Sequence, residues 1–259
     1  MGKYRHVTQL CCLCCILAGL LMSGLQPAYS QVLNVEEMRT FQDSLPWEGS
    51  LGLKGEMSKS DELFLNTTVT SHVQHLRKQK QFLYLGEFNL NRTGDSTFSE
   101  NGYLHLRFVS HVKRPLAFES FTQIQYNKAL QIKQRFLLGC GVRWHIVKGK
   151  KAKIYLGFAA MFDDEIYQQT PREQYIRNSD YISLVLSLGK NLVFTSITYY
   201  QPVFRDMADY RLLTSNGLSF HAGKHINLGI TYCLTYDSQP PAGVVSTVYS
   251  LKPELLFTF

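Results

Sequence analysis

The chain has 259 residues, of which 13% are aromatic and only 18% charged, and its formal net charge is +7. That composition excludes a disordered chain and a collagen-like one. A mean hydropathy of −0.13, with no apolar run of roughly 18 residues after position 30, excludes a helical membrane protein. The first element in chain order is an export signal. Lys3, Arg5 and His6 form a basic start, Leu10 to Leu25 an apolar stretch, and Ala28-Tyr29-Ser30 a small-residue cleavage site before Gln31. Residues 1–30 are therefore expected to be removed, and residues 31–45, which do not alternate, to form a periplasmic lead-in. Cys11, Cys12, Cys14 and Cys15 fall in the removed segment. Of the two that remain, strand phase turns Cys140 outward and Cys233 inward, so no disulfide is expected, and two cysteines without paired CxxC spacing make no zinc site.

From position 46 one pattern repeats: about ten residues of period-2 alternation, then turn residues, then another such run. In Phe136–Ile146, one face carries Phe136, Leu138, Cys140, Val142, Trp144 and Ile146, and the other Gly139, Gly141, Arg143 and His145. Successive side chains of a strand point to opposite sides, so each run has an apolar face and a polar or small one. Twelve runs result: 46–57, 62–76, 81–91, 102–112, 116–126, 134–147, 152–163, 175–188, 191–201, 210–222, 225–237 and 245–259. The fold expected over residues 46–259 is all-β, an antiparallel up-and-down transmembrane β-barrel of about twelve strands.

The connections support that reading. Short turns at 77–80, 112–115, 147–151, 189–191 and 223–224 alternate with longer polar stretches at 91–101, 163–174, 201–210 and 237–243. With twelve strands every short turn falls on one rim, which is the pattern of outer-membrane barrels and has no cause in a soluble sandwich. Charge sorts the same way. The short turns carry Arg77, Lys78, Lys80, Lys113, Arg114, Lys148, Lys150, Lys151, Lys190 and Lys224 and no carboxylate. The other rim carries an acidic majority, including Asp61, Glu62, Asp95, Glu100, Asp163, Asp164, Glu165, Glu173, Asp206 and Asp209. No aromatic-interleaved basic surface marks a nucleic-acid partner.

The inward phase collects His105, Arg107, His111, Glu119, Arg143, His145, Lys153, Lys252 and Glu254. The ordinary explanation is polar filling of a narrow barrel, with opposite charges on neighbouring strands satisfying one another. Outer-membrane hydrolases need a Ser–His pair within hydrogen-bond reach. Ser110 and His111 are adjacent, so as strand neighbours they face opposite ways, and Ser219 and His221 lack an orienting third residue. No enzyme is expected. Asp163-Asp164-Glu165 lacks the spaced oxygens and glycine of a calcium loop and reads as a solvated acidic loop, so neither metal nor cofactor is expected. Trp144, Tyr199, Tyr200, Tyr232, Tyr236 and Tyr249 read as interface girdles.

The last run ends in Phe257-Thr258-Phe259, with Tyr249 and Leu251 in the same phase. This resembles the terminal-strand signal by which outer-membrane barrels are recognised by the assembly machinery. The segments Ala117–Tyr126, Arg135–Gly141, Arg177–Tyr181, Tyr200-Gln201-Pro202 and Asp209-Tyr210-Arg211 resemble the salt-induced outer-membrane protein family, whose function is unknown. Cys140 departs mildly from that family's usual Gly-Ala-Gly. The resemblance implies an outer-membrane barrel in contact with lipid and lipopolysaccharide, and no substrate. Two functions follow as expectations. The first is a mostly plugged, monomeric barrel serving envelope integrity or osmotic adaptation. The second is a small passive or substrate-specific channel, for which the inward Gly139, Gly141, Gly157, Ala159 and Gly229 would leave space.

Overall fold

A computed structural model describes residues 46–59, 61–94, 96–112, 114–149, 151–223 and 226–257, with backbone alone for 96–99, Glu254, Leu256 and Phe257. The export signal, the lead-in 31–45 and Phe259 lie outside the described residues. The strands are β1 (Trp47–Lys59), β2 (Leu63–Arg77), β3 (Lys80–Thr93), β4 (Ser96–Ser110), β5 (Leu116–Asn127) and β6 (Ile132–Lys148). They continue as β7 (Ala152–Tyr167), β8 (Glu173–Asn178), β9 (Asp180–Ser187), β10 (Leu192–Val203), β11 (Asp206–Ala222), β12 (Ile226–Asp237) and β13 (Thr247–Phe257).

Each strand pairs antiparallel with its neighbour in sequence, in one sheet. The exception is local. β8 and β9 both pair with β7 and with β10, because the expected run 175–188 is interrupted at Ser179, whose N–H donates to the Ala159 carbonyl at 2.8 Å. Thirteen strands therefore trace twelve spans.

The two faces are inverted relative to a soluble sandwich. Arg107, Glu119, Arg135, Arg177 and Arg211 are buried, while Leu106, Leu138, Trp144 and Phe158 are each at least half exposed. Contacts across the polar face show that the sheet is curled into a barrel. The Tyr181 hydroxyl donates to Glu119 Oε2 at 2.9 Å, although β6 and β7 separate β9 from β5. Flat strands at that separation would lie roughly 14 Å apart. Likewise the Gln131 amide, between β5 and β6, donates to the Gly243 carbonyl between β12 and β13 at 3.3 Å. Alternation produces this shape directly: the side chains that must avoid water point away from the enclosed space, and the polar ones satisfy each other within it.

Several strands run further than their sequence suggests. β3 and β4 continue to Thr93 and from Ser96, so the expected long loop 91–101 is a tight hairpin with Gly94 at φ +56. Similarly β10 and β11 leave only residues 204–205 where a loop over 201–210 was expected. The expected difference in loop length between the rims is thus largely strand protrusion. β6 and β11 have 17 residues each, beyond the ~9–11 that cross a hydrocarbon core. The charge division survives in part: Arg77, Lys78, Lys80, Arg114, Lys148, Lys151 and Lys190 share one rim, and Lys113, Lys150 and Lys224 fall outside the described residues.

Candidate functional site: two polar layers in the lumen

The inner face carries two layers of polar side chains at different heights. The first is built on β4, β5 and β6. Arg107 Nη1 lies 3.1 Å from Glu119 Oε2, and Arg143 Nη1 lies 3.6 Å from Glu119 Oε1. With the Tyr181 hydroxyl on Oε2, Glu119 joins four spans. His105 Nδ1 is 2.8 Å from Gln123 Oε1, and Gln123 in turn donates to Gln125. Aromatic rings close the layer. Arg107 lies over Phe121 at 5.1 Å, Arg143 over Tyr155 at 3.8 Å, and His145 stacks on Tyr155 at 4.2 Å.

The second layer lies toward the opposite rim, roughly 14 Å away along β6, from the four-residue step between Gly141 and Leu137. Here Arg135 forks onto Asp163 through Nε–Oδ1 at 2.9 Å and Nη2–Oδ2 at 2.7 Å, and its Nε also meets Glu165 Oε1 at 2.7 Å. Arg211 reaches across from β11 to the same carboxylates, with Nη1 2.5 Å from Glu165 Oε1, Nη2 2.9 Å from Glu165 Oε2 and Nη1 3.2 Å from Asp163 Oδ2. Its Nε donates to Asp237 at 2.7 Å, and the Tyr167 hydroxyl donates to Glu165 at 2.7 Å. Arg177 completes the layer through Asp209 at 2.9 Å and Asp163 at 3.4 Å. Asp163 and Glu165 are fully buried. A planar guanidinium held by two carboxylates is a rigid strut, because the fork geometry admits little rotation.

These placements revise several sequence expectations. His105, Arg107, Glu119 and Arg143 are buried together on the inner face, and His145 is half-buried beside them. Lys252 keeps the inner register of Val248 and Ser250, but it is exposed on β13 and stands apart from the buried group. Glu254 lies opposite Gly229, and Phe257 closes β13 opposite Ile226. His111 is not on the inner face. β4 ends before it, its φ of +58 turns the chain, and its ring swings back to place Nδ1 3.1 Å from Ser110 Oγ. The two side chains excluded from contact as strand neighbours therefore do touch, on an exposed rim.

The sequence alone places Asp163 and Glu165 in a solvated loop and Asp209 on the acidic rim. β7 instead continues to Tyr167, which turns Asp163 and Glu165 into the lumen, and Asp209 is buried against Arg177. Only Asp164 faces out, where Arg172 holds it at 2.5 and 2.7 Å. That hydrogen bond raises the pKa of the loop residue Arg172. The whole second layer escaped the sequence reading. Its signal was present in the unbroken phase Tyr155, Gly157, Ala159, Met161, Asp163, Glu165, Tyr167. The space expected beside the inward glycines is also taken. The Phe121 ring lies over Gly139 and the Tyr181 ring over Gly157, so closely that a Cβ at either glycine would overlap the ring.

Residues 51–259 match the family described as "Protein of unknown function, DUF481". The chain belongs to this DUF481 family. The matched range runs from within β1 to the last residue and contains both polar layers. Among solved structures, this DUF481 chain is similar to the NanC porin in a rhombohedral crystal form, with 11% identity and a TM-score of 0.47. The likeness covers 81% of this chain and all of that one. No curated protein matches.

Proposed function

We propose that the protein is an outer-membrane β-barrel whose own side chains close its lumen, and that it serves as a structural element of the envelope rather than as an enzyme or an open pore. The observation that carries this is the second layer. Three buried arginines from β6, β8 and β11 are locked onto carboxylates of β7, β11 and β12 across the enclosed space. An exposed apolar wall around a polar interior is what a lipid-facing barrel requires. A role in osmotic or salt adaptation draws support from the sequence resemblance alone. In this reading the partners are outer-membrane lipids, lipopolysaccharide and, through β13, the barrel-assembly machinery.

Reconstituted into planar bilayers, the protein should leave the membrane electrically silent. Stepwise conductance would overturn the closed lumen and favour a small channel. Location and topology have a separate test. In a Cys140→Ser, Cys233→Ser background, Gln169→Cys on the 168–172 connection should react with an impermeant thiol reagent on intact cells. Lys151→Cys, on a basic turn, should react only after the outer membrane is opened. Reversed labelling would invert the topology, and labelling of neither site in opened cells would remove the protein from the envelope.

A further inference from the structure

The outer wall is not uniform. One row of cross-strand partners runs Trp47, His75, Phe82, Phe108, Ser120, Cys140 over β1 to β6. Its first four members form a continuous run of neighbouring rings, with centroids 4.0, 6.5 and 4.9 Å apart, the first two pairs stacked and the third tilted. At Ser120 the row drops from aromatic to small. In the next outer-face row toward the middle of the strands, Thr122 likewise sits between the larger Leu106 and Leu138. Large side chains therefore surround a floor of small ones, and they enclose a notch of about 430 Å³ in the wall.

The notch lies beside a cationic turn. Arg77 and Lys80 are the last paired residues of the β2–β3 hairpin, two positions beyond His75 and Phe82. Alternation puts all four on the outer face, so two exposed cations stand roughly 7 Å along the strands from the aromatic row. An apolar recess on a lipid-facing wall, capped by paired cations toward one rim, matches a molecule with a hydrocarbon tail and an anionic head.

Taking the barrel reading above as its basis, we propose that this notch is a binding site for an anionic phospholipid of the periplasmic leaflet. One acyl chain lies over Ser120 and Thr122 between Phe82, Phe108 and Leu138, and the phosphate sits against Arg77 and Lys80. Charge complementarity favours the phospholipid over a second copy of the chain, whose same rim carries cations too.

The test uses the full chain with Trp144→Phe, which leaves Trp47, at the end of the aromatic row, as the fluorophore. The protein is reconstituted in phosphatidylcholine vesicles doped with brominated phosphatidylglycerol or brominated phosphatidylcholine. Half-maximal quenching should need about threefold or more less of the anionic lipid, given an attraction of order tenfold for two surface cations reduced by salt. Arg77→Gln with Lys80→Gln should make the two lipids equivalent.

Equal quenching by both lipids in the parent protein would overturn the proposal, as would a preference that survives the double substitution. If unlabelled lipid A displaces the brominated lipid better than phosphatidylglycerol does, the site belongs to the other leaflet and the proposal falls. Deletion of residues 31–45 should leave the quenching unchanged. A rise for both lipids alike would mean that this segment occupies the notch. Protein that does not float with the vesicles would refute the barrel reading itself, an outcome distinct from floating protein without lipid preference.

Discussion

Arg211→Ala should destabilise the folded barrel by about 3–5 kcal/mol, the cost of breaking a buried ion pair by removing one partner. Arg211 donates to Asp163, Glu165 and Asp237, so its loss unbalances three carboxylates on two strands at once. Asp163 and Glu165 are fully buried, which leaves water no access to compensate them. Glu165 would then keep Arg135 alone among the layer's arginines, while Asp163 would share Arg135 with Arg177. Arg211→Lys should recover only part of the loss, because an ammonium cannot fork onto Glu165 while also reaching Asp237. The measurement is the urea midpoint of unfolding in detergent micelles, followed by tryptophan fluorescence. A midpoint unchanged in Arg211→Ala would mean that the second layer is not the strut described above. A further comparison separates charge from packing. Adding Glu165→Gln and Asp237→Asn to Arg211→Met should return much of the stability, since the carboxylates stranded by the loss are then neutral and Asp163 keeps Arg135 and Arg177.

How much of this was legible in the sequence depended on which physical rule each feature obeyed. Alternation assigns a residue to a face, and it placed Arg107, Glu119 and Arg143 on the inner one without any knowledge of the fold. It does not say where a strand stops. Polar residues ordinarily mark the end of a strand, so the expected β7 stopped near Asp163. In a barrel with a polar interior that rule fails, because the inner face stays polar through Asp163 and Glu165 while the ladder continues. The same error hid Asp209 near the start of β11, which begins at Asp206 rather than at the expected position 210. Contacts across the lumen were out of reach for a different reason. Tyr181 and Glu119 are 62 residues apart, and their meeting depends on the curl and stagger of the sheet, which period-2 patterning does not encode. His111 was misplaced because a positive φ at a non-glycine residue has no reliable sequence mark.

The inverted faces make the sign of a surface mutation diagnostic. Phe158 is half exposed near the middle of β7, opposite Val142 on β6, which is also exposed. On a water-soluble protein, Phe158→Arg would replace an exposed apolar ring with a well-hydrated charge. The stability change would be within about 0.5 kcal/mol, and solubility would improve. On a lipid-facing wall the same change puts a guanidinium near the bilayer midplane, where it should cost about 2–4 kcal/mol. Phe158→Leu keeps the wall apolar and should cost much less. Equilibrium folding into phospholipid vesicles, titrated with urea, separates the two outcomes. The loss should shrink when the arginine is moved toward the turn, as in Ile154→Arg, because a long side chain near the interface can extend its charge to water. This depth dependence is what a lipid boundary adds to simple exposure. Equal losses at positions 158 and 154 would point to disrupted strand packing, and no loss at either would make the exposed apolar face a surface in water.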